Sequence, residues 1–147
     1  MTKNKDRRVG FHSIESIIKN NLHKIKKLFL PSSRDDKRLN DLIRLSEENG
    51  IKFEISRKLK KEPEALIVSE EISNFKDLKD YLVGLGKKEL SILILDNIID
   101  PRNLGACIRS AAVLDVDALI INKHHCAPLN EVAHSVSAGG AEIVNIF

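Results

Sequence analysis

The residues best suited to do chemistry lie between Leu93 and Ala112, where a short apolar run leads into a polar turn and then a helical pattern. The run Ile92–Leu95 predicts a strand buried on both faces, because uninterrupted apolar runs of this length are typical of parallel sheets. The polar turn contains Asp96, Asn97, Asp100, Pro101, Arg102 and Asn103. Strand, turn and helix N-terminus together are the place where an α/β sheet presents polar groups to a ligand.

Four residues of this stretch give it a specific chemistry: Pro101, Asn103, Gly105 and Arg109. Pro101 turns the chain sharply, and Asn103 is predicted to be the N-cap that accepts hydrogen bonds from the first helical turn. Gly105 allows a backbone or a ligand to approach closely, and Arg109 supplies a permanent cation with five donors. The spacing by itself favours a simpler interpretation, a well-capped helix that carries a surface arginine.

The segment D-P-R-N-L-G-A-C-I-R-S-A, residues 100–111, resembles the first motif of the SpoU/TrmH family of SPOUT RNA ribose 2′-O-methyltransferases. The family pattern is D-P-x-N-x-G followed by an arginine, and Asp100, Pro101, Asn103, Gly105 and Arg109 match it. The likeness continues through residues 118–122, 129–130 and 137–142. It is closest to the branch that methylates a guanosine of large-subunit ribosomal RNA.

This resemblance implies transfer of a methyl group from S-adenosyl-L-methionine (AdoMet) to a ribose 2′-hydroxyl. It implies catalytic roles for Asn103, which orients the reacting groups, and for Arg109, which activates or positions the hydroxyl. Because a deprotonated guanidine is costly at neutral pH, physical chemistry favours phosphate binding or charge stabilisation for Arg109. The family's AdoMet-binding loops and trefoil knot come from two later motifs that this sequence does not contain, so we predict no cofactor-binding residue in the chain.

The predicted fold class is α/β, in four segments. Residues 1–9 are predicted to be a disordered basic leader, and residues 10–73 an RNA-binding α/β domain resembling a ribosomal protein. Residues 74–88 are predicted to be a linker helix and hinge. Residues 89–147 are predicted to be the first part of a parallel-sheet SPOUT domain without its knot, with further strands at 118–122 and 142–147. The domain that precedes the catalytic one in this family carries a His-Gln-Gly signature, in whose place Glu64-Ala65-Leu66 stands.

Charge divides the chain into two unequal parts. Residues 1–88 contain 21 Lys or Arg and 14 Asp or Glu, a net charge of +7, whereas residues 89–147 contain 3 and 7, a net charge of −4. A basic first part suggests contact with a polyanion, and the acidic second part would then hold the chemistry. Lysine-rich surfaces are also common without any such role.

Several other classes of site are disfavoured by the sequence. No apolar run approaches the length of a membrane span, which is about 20 residues. The two cysteines, Cys107 and Cys126, do not form a disulfide framework, and His124-His125-Cys126 lacks a second ligand pair, so no metal is predicted. His134 and Ser137 could meet on one helix face as base and nucleophile, but no third group is evident to orient them.

We therefore predict a cytoplasmic rRNA 2′-O-methyltransferase, in a form truncated after its first catalytic motif. Its expected partner is RNA of the large ribosomal subunit, with no DNA or membrane; the family's homodimer is not expected here, because much of its surface comes from the missing motifs. An alternative is a non-catalytic RNA- or ribosome-binding protein that uses the basic N-terminal domain. A third is a nucleotide-binding α/β domain that uses the helix end at Asn103.

Overall fold

The computed structural model describes residues 5–68 and 72–147 and divides into two compact units, Met1–Ser69 and Glu70–Phe147. The class is mixed α/β, as predicted, and each unit has a sheet and a hydrophobic core of its own.

The first unit is a four-stranded sheet with two helices. Its elements are β1 Lys5–Val9, α1 Phe11–Asn20, β2 Ile25–Pro31, α2 Lys37–Glu48, β3 Phe53–Ser56 and β4 Glu64–Val68. The strand order is β1-β4-β2-β3, in which β2 and β3 are parallel and the other two pairs are antiparallel. Apolar residues recur at helical spacing in α1 and α2, which places one face of each helix in a core shared with β2 and β4.

The prediction of a disordered leader over residues 1–9 is wrong for residues 5–9, which form β1. This strand pairs antiparallel with β4, with Arg7 opposite Leu66 and Arg8 opposite Ala65. The basic composition suggested a chain unable to bury apolar surface. In the structure, backbone pairing along the edge of β4 orders the segment instead, and Arg8 is buried. Residues 1–4 of the predicted leader lie outside the described residues.

The second unit contains α3 Phe75–Gly84, β5 Ile92–Leu95, α4 Pro101–Val113, β6 Ala118–Ile121 and α5 Glu131–Ser137. Strands β5 and β6 are parallel and in register from Ile92 opposite Ala118 to Leu95 opposite Ile121. The third strand predicted at 142–147 is shorter than expected, since Gly140–Glu142 form a 3-10 turn. Pairing with β6 begins at Asn145, whose carbonyl accepts from the N–H of Leu119 at 2.9 Å.

Strand β5 is not buried on both faces as predicted. Leu95 is buried and Leu93 is packed against the core with α4, but Ile92 is 42% exposed and Ile94 is 64% exposed. Among the described residues β5 pairs only with β6, so it is an edge strand. An apolar run identifies such a strand, but the run does not show whether both of its faces are covered.

Asp117 joins the starts of β5 and β6. Its carboxylate accepts from the N–H of Ser91 at 2.9 Å and from the Ser91 hydroxyl at 3.1 Å, and it pairs with Lys87. The hydrogen bond from Lys87 and then that from the Ser91 N–H lower the pKa of Asp117 below its usual value. The same pairing with Asp117 raises the pKa of Lys87.

We expect Asp117→Asn to reduce the stability of the second unit at neutral pH. A carboxylate with a lowered folded-state pKa stabilises the fold above its unfolded pKa, and this contribution is lost as the pH falls through the folded-state value. The difference in urea midpoint between variant and parent should therefore shrink in acid. Tyr81, the single tyrosine of a chain without tryptophan, reports on this unit by fluorescence. Asp115→Asn, two residues away, is the matched control. If the urea midpoints of Asp117→Asn and the parent protein differ by the same amount at every pH, the Asp117 carboxylate does not have this role.

Candidate active site

The site begins where the chain passes from β5 into α4. Asp100, and not Asn103 as predicted, is the N-cap of α4, and its carboxylate accepts from the N–H of Arg102 at 2.8 Å. Pro101 explains the difference. Proline is favoured at the first helical position, where no N–H is needed, and this makes the preceding residue the cap. Asn103 is thus the third residue of the helix, and its side chain is exposed.

Both predicted catalytic residues, Asn103 and Arg109, lie on α4 and are exposed. Six residues of helix separate them by about 9 Å along the axis and by about a third of a turn around it. Neither side chain hydrogen-bonds or pairs with another described residue. The structure therefore places both groups on the surface of one rigid helix, free to contact a ligand, but not in contact with each other.

Two glycines allow other segments to press closely against α4. A Cβ on Gly105 would lie 2.5 Å from the carbonyl oxygen of Ala133 in α5. A Cβ on Gly140 would lie 3.1 Å from Cα of Arg109 and 3.2 Å from the carbonyl oxygen of Ile108. The backbone that carries Arg109 is consequently held by α5 and by the 3-10 turn that follows it.

His134 and Ser137 do not form a base–nucleophile pair. The Ser137 hydroxyl donates to the backbone carbonyl of His134 at 2.8 Å and accepts from the N–H of Ala141 at 3.4 Å. The imidazole Nδ1 of His134 lies 3.4 Å from Oε1 of Glu142, and both side chains are buried. Glu142 was missed in the sequence because seven residues, including a left-handed turn at Ala138 and Gly139, separate it from His134. These groups fix the end of α5 to the following 3-10 turn.

We expect Ser137→Ala to lower the free energy of unfolding by about 1 kcal/mol, because two backbone groups lose a hydrogen-bond partner. Urea unfolding followed by Tyr81 fluorescence measures this loss. Ser135→Ala, an exposed serine on the same helix, is the control. Covalent labelling of Ser137 by a fluorophosphonate probe would contradict this structural role and support a nucleophilic one.

No group of three or more His, Cys, Asp or Glu in residues 5–68 and 72–147 is placed to hold a metal ion. Cys107 and Cys126 are both free thiols. In the same described residues, no helix combines the length and apolar character needed to cross a membrane.

A cavity of about 580 Å³ in the second unit lies at the carboxyl end of β6. Its size suits a small-molecule ligand. Its walls are mainly apolar, with Leu78, Ile121 and Phe147 among them; the polar side chains that the described residues contribute include Asn74 and Asn122 but no Asp or Glu. AdoMet carries a sulfonium and an amino group that need acceptors or negative charge, so this lining does not fit the cofactor by itself.

Two family models match the chain, one for each unit. Residues 9–60 match the model for RNA 2′-O ribose methyltransferase substrate binding, and residues 91–147 match the SpoU rRNA Methylase family. The chain belongs to the SpoU family. The SpoU match begins just before β5 and includes the whole of α4, so the sequence resemblance at residues 100–111 is confirmed at the level of the family.

Among curated relatives, this SpoU chain is similar to the 23S rRNA (guanosine-2′-O-)-methyltransferases RlmB of Acinetobacter baylyi and Escherichia coli. The identities are 35% and 32%, over 94% of this chain and 59% and 60% of the relatives. The chain thus spans about 60% of the length of the curated relatives it matches.

Solved structures agree on the fold. The SpoU methyltransferase AviRb from Streptomyces viridochromogenes, in complex with AdoMet, superposes with a TM-score of 0.74 at 17% identity. The match covers 97% of this chain and 53% of AviRb. An rRNA methyltransferase from Sinorhizobium meliloti gives a TM-score of 0.65 over 98% of this chain and 54% of the other.

Proposed function

We propose that this SpoU protein takes part in AdoMet-dependent methylation of a guanosine 2′-hydroxyl in large-subunit ribosomal RNA. The observation that carries the proposal is the N-terminus of α4. The family motif places Asn103 in the first turn of this helix and Arg109 nearly two turns further on, both exposed, and the helix follows strand β5 of a parallel pair after the turn at residues 96–100. Such a strand-to-helix crevice is where α/β sheets bind their ligands. An rRNA substrate would place the protein in the cytoplasm.

Asn103 and Arg109 are the residues we assign to the reaction. Methyl transfer to a hydroxyl needs the acceptor held in line with the donor and helped to lose its proton. Asn103 can orient the ribose with its amide, which has both a donor and an acceptor. Arg109 remains a cation throughout, so it stabilises negative charge on the 2′-oxygen or on the adjacent phosphate. AdoMet supplies the methyl group, and the residues described in this chain do not make up its complete site.

The experiment is methyl transfer from radiolabelled AdoMet to large-subunit rRNA. It uses the chain itself and a chimera in which the chain replaces the matching segment of the Escherichia coli RlmB relative. Methylation of a guanosine ribose by the chimera supports the proposal. A folded chimera that binds both AdoMet and rRNA and yet transfers no methyl group contradicts it. In that case the non-catalytic RNA-binding alternative remains, which the basic first unit favours.

A further inference from the structure

Three segments of the first unit meet at the start of α2. The Ser33 hydroxyl, in the turn between β2 and α2, donates to the carbonyl of Lys60. The next residue, Arg34, donates from its terminal nitrogen to the carbonyl of Lys61 at 3.2 Å. Both arginines at this end, Arg34 and Arg38, stack on the ring of Phe11 at the start of α1. The loop between β3 and β4 is therefore tied to the ends of both helices.

Arg34 and Arg38 have different surroundings. Arg34 is three-quarters buried, pairs with Asp36, lies 3.8 Å from Glu62 and binds the loop backbone, so its donors are used within the protein. Arg38 is exposed, with its guanidinium 4.8 Å from the centre of the buried Phe11 ring. It contacts Nε2 of His12 at 2.8 Å. A stacked guanidinium is pre-oriented, and Arg38 keeps donors available for another acceptor. Arg34 is thus a positioning residue, whereas Arg38 can bind.

Positive charge is concentrated in these segments. Residues 33–38 and 57–62 contain seven Lys or Arg and three Asp or Glu. We define the basic cluster as five exposed residues, one in α2 and four in the β3–β4 loop: Arg38, Arg57, Lys58, Lys60 and Lys61. The hydrogen bonds from Ser33 and Arg34 use only the backbone carbonyls of Lys60 and Lys61, and both lysines are exposed.

The charges inside α2 also run against its dipole. Its first turn has no acidic residue and contains Lys37 and Arg38, while its last turn has no basic residue and contains Glu47 and Glu48. The positive end of a helix dipole is stabilised by anions and destabilised by cations. Asp36, the N-cap, partly offsets this arrangement, because its carboxylate accepts from the N–H of Leu39 at 3.0 Å, and an anion bound beside Lys37 and Arg38 would offset it further.

We propose that the basic cluster binds the phosphodiester backbone of the RNA substrate; the inference rests on the proposed function. Cations distributed over a helix start and a neighbouring loop suit the repeated phosphates of a nucleic acid better than one small anion. No exposed aromatic side chain lies in the cluster to stack on a base, because Phe11 is 2% exposed. The cluster therefore reads the backbone and not the sequence, and the selection of a nucleotide occurs elsewhere.

The test is fluorescence anisotropy with a labelled hairpin from large-subunit rRNA, measured without AdoMet over a salt series. Arg38→Gln should weaken binding about five- to tenfold and reduce the slope of log K against log salt by about one. The double variant Lys60→Gln, Lys61→Gln should reduce the slope by about two. The loss should be the same for a hairpin of scrambled sequence, because phosphate contacts carry no sequence information.

Arg44→Gln is the matched control. Arg44 is an exposed arginine on the same helix, but it pairs with Asp41 and Glu48 and lies outside the cluster. Equal weakening by Arg38→Gln and Arg44→Gln, or unchanged salt slopes in both cluster variants, would overturn the proposal. The Lys60, Lys61 variant guards against misfolding of Arg38→Gln, because those two lysines hold the loop through their backbone carbonyls, which the substitutions keep. Methyl transfer plays no part in this assay, so it tests RNA binding by the cluster separately from the proposed reaction.

Discussion

Gly105→Ala is expected to destabilise the second unit by about 2 kcal/mol or more, in the upper part of the range for overpacked cores. The new methyl group would lie 2.5 Å from the carbonyl oxygen of Ala133 and 2.9 Å from Cβ of Val136. The first of these atoms belongs to the backbone of α5, so the two helices must separate. The higher helix propensity of alanine offsets at most about 1 kcal/mol of this destabilisation. Urea unfolding followed by Tyr81 fluorescence measures the net loss.

Alanine substitutions at two other glycines provide comparisons for this predicted loss of stability. At Gly140 a Cβ would have contacts of 3.1–3.3 Å, which shifts of a few tenths of an ångström relieve, so Gly140→Ala should cost less. At Gly84, at the end of α3, no atom lies within 4 Å, and Gly84→Ala should leave stability unchanged or slightly raised. If Gly105→Ala unfolds at the same urea concentration as Gly84→Ala, the close contact between α4 and α5 is not a constraint.

Arg109→Ala in the chimera is expected to lower the rate of methyl transfer by at least about 100-fold, the typical loss when one charge-stabilising donor is removed. The side chain is exposed and makes no hydrogen bond or ion pair with another described residue, so its removal should leave folding intact. Single-turnover transfer to rRNA measures the rate, and calorimetry should show unchanged affinity for AdoMet.

Arg102→Ala is the control for a general loss of positive charge. Arg102 is exposed on the same helix, and seven residues of helix bring it to nearly the same face as Arg109. It occupies the position that the family motif leaves variable. Similar losses in the two variants would show that the helix contributes only overall charge, and full activity of Arg109→Ala would remove Arg109 from the site.

The sequence was most informative where one short stretch determines local structure. The strand at 92–95, the sharp turn at Pro101 and the helix after it are all present, because each depends on residues within a few positions. The exact cap was wrong by three residues, since Asn103 and Asp100 are both good caps and Pro101 decides between them. The family resemblance gave the roles of Asn103 and Arg109, and these stay predictions.

The features that the sequence did not predict all depend on distant partners. Strand β1 forms because the edge of β4, about 60 residues later, needs a neighbour. The burial of His134 with Glu142 depends on a left-handed turn between them. Whether Ile92 and Ile94 are covered depends on which elements lie over β5, and no local pattern contains that information. The junction of Phe11, Arg34 and the loop at Lys60 likewise joins segments that are far apart in the chain.

The reversed charges of α2 should give this protein two opposite responses to salt. In the free chain, added salt screens the unfavourable interactions of Lys37 and Glu48 with the helix ends, which the Asp36 cap offsets only in part, so the first unit should melt at a slightly higher temperature. Binding of RNA through the cluster should weaken over the same range, as counterions compete for the phosphates. At low ionic strength, bound RNA would thus contribute more to the stability of the first unit, whereas at high ionic strength the unit would be stable without it.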